Sequence, residues 1–183
     1  MVENNRFHDK GQNQVVQEMF VLSQSCTIFG HTLKSNAMYE IFLDTHSYLR
    51  FFVLIMLIVV IVKSFMGWTG NKAYTRVDDR LGLYLVIFTH LQLIAGIVLY
   101  FISPNVQFGG QTMKEATLRY WTVEHALMMI IAIGLITAAR STSRRMQDDT
   151  AKQKRLVIFN TIALIVIVGS LFMSGRGVLG TGM

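Results

Sequence analysis

From residue 46 onward the chain alternates long apolar runs with short polar, basic connections, whereas residues 1–37 show no such pattern. A helix needs about 20 apolar residues to cross a hydrocarbon core of about 30 Å. Four stretches reach that length, at about 46–68, 81–103, 121–139 and 156–174. None alternates apolar and polar residues with the period of two that a lipid-facing barrel strand needs, so each is predicted to be a helix. The connections between them, roughly 12 to 18 residues each, favour antiparallel neighbours. The predicted fold is therefore all-α, an integral membrane up-down-up-down four-helix bundle.

Residues 1–37 are rich in Asn, Gln and Ser, and their longest apolar run, Met19 to Leu22, is too short to span. Glu3 and Asp9 beside Arg6 and Lys10 also make a poor secretory signal. The segment is expected to be a disordered leader, an over-extended gene start or an expression remnant. Met38 is then the natural start of a four-helix transmembrane domain over 38–183.

Composition supports lipid as the solvent: 52% of residues are hydrophobic and only one is proline. The single cysteine, Cys26, cannot form an internal disulfide, and no Cys/His set has zinc-ligand spacing. A formal net charge of +6 raises nucleic acid as a partner. The basic residues, however, sit in short loops between apolar runs and form no continuous patch, so no nucleic-acid partner is expected. Their distribution speaks to orientation instead. Lys63, Lys72, Arg76 and Arg80 border the first loop, and Arg140, Arg144, Arg145, Lys152, Lys154 and Arg155 crowd the third. The second loop carries only Lys114 and Arg119, and the tail only Arg176. The positive-inside rule then makes the first and third loops cytoplasmic, so both termini of the helical domain face outward. Tyr48, Tyr100, Tyr120 and Trp121 fall near the outer interface, and Trp68 near the inner one, where amphipathic rings are favoured. Gly82, Gly96, Gly134 and Gly169, with Ala95, Ala132 and Ser170, are either points of close helix approach or glycines that lipid simply tolerates.

Ionisable groups inside a span are costly and mark candidate sites. His46, His90 and His125 fall one in each of the first three spans. His90 is near mid-membrane. His46 and His125 lie toward the outer side, at depths within roughly 3 to 9 Å of each other at a rise of about 1.5 Å per residue. Two neutral imidazoles facing one another across a bundle are what a b-type haem needs, each giving Nε2 to the iron while Nδ1–H bonds a carbonyl or carboxylate. Arg50, one turn beyond His46, and Arg119 are candidate partners for haem propionates. Bland readings stand beside these: solvated imidazoles at the interface, snorkelling arginines, and His90 or Asn160 bonding a neighbouring helix. Glu124 adjoins His125 but points to another face, as a proton-accepting or partner-facing group. The eleven methionines read as packing.

Three motifs carry a family resemblance: Thr45-His46-Ser47-Tyr48-Leu49-Arg50, Thr89-His90-Leu91-Gln92-Leu93 and Trp121-Thr122-Val123-Glu124-His125-Ala126. With Tyr100-Phe101-Ile102-Ser103-Pro104 and Arg176-Gly177-Val178-Leu179-Gly180, the chain over about 39–182 resembles a family of small four-helix bacterial membrane proteins of Bacteroidetes type labelled cytochrome b or cytochrome b-like. The resemblance implies a bacterial inner-membrane location, which makes both outward-facing termini of the helical domain periplasmic, and the three histidines and Arg50 as site residues. The expected function is a haem-b electron carrier exchanging electrons with quinone or a respiratory partner. His46 and His125 are the favoured axial pair, and His90 could replace either. A second expectation is a haem- or quinone-handling enzyme, because His90 to Gly96 looks loosely like the histidine helices of haem A synthase; a homodimer would then supply the missing half-bundle. The third is a non-catalytic membrane subunit with structural histidines.

Overall fold

The computed structural model describes residues 4–110 and 112–174, with side chains from residue 37 on; the Arg176–Gly180 motif lies outside them. Four helices run α1 (Asn4–Thr69), α2 (Arg76–Ile102), α3 (Ala116–Ser143) and α4 (Asp149–Met173). The chain divides into two compact units, residues 1–41 and 42–183. In the first, the backbone is helical from Asn4, where the sequence suggested a disordered leader. Once nucleated, a helix adds residues at little cost, so a polar segment attached to a strong apolar helix follows it readily.

The second unit is the bundle. All four helices, with the first taken over Ala37–Thr69, are long and apolar enough to span a membrane, as the apolar runs predicted. Chemistry at their ends sets where two of them begin. Thr75 caps α2 reciprocally with Asp78, and Asp148 caps α4 by accepting from the Ala151 N–H. The core is small: Val53, Leu57 and Val60 of α1 meet Leu85 of α2, Ala132 and Ile136 of α3 and Ala163 of α4. Large apolar side chains such as Ile55, Ile94, Ile130 and Ile165 point outward. That inversion of the soluble pattern is expected where lipid covers the outside and close packing uses small residues within.

The two ends of the bundle differ in kind. The end carrying the 70–75 and 144–148 connections is locked by ion pairs and hydrogen bonds. Lys63 pairs with Asp78, tying α1 to α2, and the buried Arg140 pairs with Asp79 at 3.1 Å while donating to the Asp79 carbonyl, tying α3 to α2. Gly82 leaves room for that guanidinium, since a Cβ there would come within 3.3 Å of Arg140 Nη1. Gln153 of α4 donates to the Lys72 carbonyl at 2.9 Å, and Asp149 accepts from the Tyr74 N–H at 3.0 Å. Burial, with the nearby Asp79 carboxylate, pushes the Tyr74 phenol up to about 12. The opposite end carries two of the three membrane histidines.

Candidate functional site

At that second end α1 contributes His46 and Arg50, one turn apart on one face. α2 contributes Gln92 and Gly96, also one turn apart. The Gln92 amide donates to the His46 carbonyl at 2.9 Å, pinning the two helices together where the imidazole leaves the backbone. Gly96 lies directly against that ring, and a Cβ there would meet His46 Cε1 at 3.2 Å. The glycine therefore serves close approach, whereas at Gly134 and Gly169 an added Cβ would meet nothing.

α3 enters through a distorted first segment. Over Tyr120–Glu124 its hydrogen bonds reach five residues back instead of four, and the His125 N–H closes onto the Tyr120 carbonyl. Such single π-turns recur at functional sites. Tyr120 is buried, and its hydroxyl donates to the Ser170 carbonyl of α4 at 2.6 Å and lies 3.0 Å from Ser170 Oγ. His125 Nδ1 is 3.4 Å from the same Oγ. The Tyr120 and Trp121 rings flank His125 at centroid distances of 5.9 and 5.3 Å. The end of α2 and the connection after it are laced to this turn, with Tyr100 donating to the Thr122 carbonyl at 3.0 Å and the Gln107 N–H to Thr122 Oγ1 at 3.3 Å.

His46, His125 and Arg50 lie within electrostatic range of one another. His46 Nδ1 and Gln92 Oε1 are buried and have no hydrogen-bond partner among the described residues. Leaving a buried polar atom unsatisfied costs about 1–3 kcal/mol, and the Gln92 backbone is the group closest to relieving it at His46. Two imidazoles from different helices, one of them anchored through Nδ1, with a cationic group nearby, are the donors that a b-type haem would use. The anchors differ in detail from the expectation. His125 Nδ1 meets a serine hydroxyl instead of a carbonyl or carboxylate, and His46 Nδ1 meets neither.

His90 is apart from this cluster. It lies 14 residues after Arg76 and 12 before Ile102, in the middle of α2, but it is exposed on the outward face and its Nδ1 bonds the Val86 carbonyl at 2.8 Å. Among the described residues no three His, Cys, Asp or Glu side chains converge as a metal site, so the three histidines do not form one. Arg119 is engaged with Glu124 at 2.8 Å and with the Met113 carbonyl, which gives Glu124 a local partner. Asn160 is buried in α4, and its Oδ1 has no partner among the described residues.

Gln92, Tyr120 and Ser170 are site residues that the search for ionisable groups passed over. Their signal was available: polar or small side chains within otherwise apolar spans, at the spacing of the inward face. No family model, curated protein or solved structure matches the chain.

Proposed function

We propose that this four-helix membrane protein is a haem-b electron carrier of the bacterial inner membrane, with His46 and His125 as the axial pair and Arg50 as counter-charge to a propionate. The observation that carries the reading is that His46 and His125, on separate spans, lie within electrostatic range of one another beside Arg50, with His125 Nδ1 held by Ser170. The haem supplies a one-electron iron couple. The chain's part is to hold it: His125 is anchored to α4 through Ser170, His46 is set by the Gln92 bond to its carbonyl, and the surrounding helices keep water away. The electron partner is quinone or a respiratory complex, reached within the membrane or at its outer face. Both termini of the helical domain are assigned to the periplasm by the basic first and third connections. In a Cys26→Ser background, a cysteine placed at Arg145 should then react with an impermeant reagent only in inverted vesicles, and labelling in intact cells would reverse the orientation.

The test of the function is optical. Protein purified in detergent from haem-replete cells should show the dithionite-reduced bands of a b-type haem, and a colourless preparation would contradict the proposal. One observation favours a second reading, a non-catalytic subunit whose histidines are structural glue: His125 already bonds a neighbouring helix through Ser170. Co-purification with a larger complex, without a chromophore, would select it.

A further inference from the structure

We infer that Tyr120 and Ser170 are positioning residues that fix the tautomer of His125, and that the π-turn over Tyr120–Glu124 exists to bring them to it. The inference deepens the proposed haem site and rests on that reading for its purpose, though not for its geometry.

The π-turn comes first. In an α-helix five residues advance about 500°, which leaves the side chains at positions 120 and 125 roughly 140° apart around the axis. Tyr120 would then face away from the histidine. With the His125 N–H bonded to the Tyr120 carbonyl, the turn closes in five residues and the two side chains share a face. Both can therefore reach one residue of α4, Ser170, which is fully buried.

Proton counting then sets the direction of every bond. The Tyr120 hydroxyl has one proton, and it goes to the Ser170 carbonyl at 2.6 Å. The 3.0 Å contact between Tyr120 Oη and Ser170 Oγ must therefore use the serine proton, donated to the tyrosine oxygen. Ser170 Oγ has no further proton to give, so in the 3.4 Å contact it accepts, and the neutral His125 ring carries its proton on Nδ1. Nε2 is left with a bare lone pair, the form in which an imidazole ligates a metal. No carboxylate is needed for this: two hydroxyls and a carbonyl orient the ring without placing a charge in the membrane.

The test needs no haem. The full chain, labelled with 15N-histidine and held in detergent micelles about two pH units above the ordinary histidine value of about 6.5, gives a long-range 1H–15N spectrum that reports which ring nitrogen is protonated. The His125 signals are those lost in His125→Gln. The expected wild-type pattern is Nδ1 protonated and Nε2 bare. Tyr120→Phe frees the serine proton to turn onto Nδ1, and Ser170→Ala removes the acceptor, so both should move most of the population to the Nε2–H form. A wild-type ring protonated on Nε2, or an Nδ1–H form that persists in both variants, would overturn the inference. If neither variant folds, the wild-type spectrum decides alone. A colourless wild-type protein with the expected tautomer sinks the haem proposal and leaves this inference standing; a haem-loaded protein whose apo form carries Nε2–H does the reverse.

Discussion

Replacing Gly67 with alanine is the sharpest probe of the locked end of the bundle. A Cβ at Gly67 would collide with Oε1 and Cδ of Gln153 and lie 2.6 Å from its Nε2, so the amide has to leave. Gln153 is 3% exposed, and its Nε2 donates to the Lys72 carbonyl, clamping the connection between α1 and α2 onto α4. Displacement loses that bond, worth about 0.5–1.5 kcal/mol, and forces repacking at about 1–3 kcal/mol. Alanine returns up to about 1 kcal/mol through helix propensity. The net expectation is a destabilisation of about 1–3 kcal/mol, measured by SDS or thermal unfolding in detergent with circular dichroism. Gln153→Ala alone should cost about 1–2 kcal/mol for the lost bond and the space left. The double variant should cost little more than Gln153→Ala, because the new methyl enters vacated space. Additive costs across the four proteins, or a Gly67→Ala variant as stable as wild type, would refute the packing argument.

Two further outcomes concern the same end. Asp79→Ala strands the buried Arg140 guanidinium with only the residue 79 carbonyl, so it should destabilise by about 1–2 kcal/mol, below the full cost of breaking a buried pair because Asp79 is partly exposed; Asp79→Ala with Arg140→Met should recover part of that loss in the same unfolding assay. Tyr74 should form tyrosinate only as pH approaches 12, read as the absorbance lost in Tyr74→Phe. Its folded value lies above the ordinary phenol value of about 10, so the native state holds the proton more tightly. The stabilisation is thus complete below about pH 10 and is lost as pH rises toward 12, a decline that Tyr74→Phe should lack.

Much of the fold was legible because a span announces itself by length and apolarity, which do not depend on tertiary detail. The starts and stops were less so. The third helix begins at Ala116, ahead of the expected Trp121, because a polar first turn and a π-turn precede the apolar run. A π-turn depends on what Tyr120 reaches across the bundle, which no local pattern states. The faces of the helices were the other gap. Depth placed His90 at mid-membrane, but its direction follows from phase: Gly82, Leu85, Thr89 and Ala95 are buried, so the inward stripe of α2 passes through Gln92 and leaves His90 outside. In lipid the small and polar positions mark the interior, and reading that stripe would have found Gln92 and set His90 aside. Arg50 and His46 were recoverable from their i, i+4 spacing alone, whereas the pairing of Arg119 with Glu124 required the turn of α3 between them.

The measurement that bears most directly on the central claim is the reduced-minus-oxidised spectrum, per mole of purified protein, of the wild type beside His46→Ala, His90→Ala and His125→Ala. The account predicts b-type bands in the wild type and in His90→Ala, and their loss in the other two. No chromophore in the wild type, or bands that survive without His46 or His125 and vanish without His90, would contradict it.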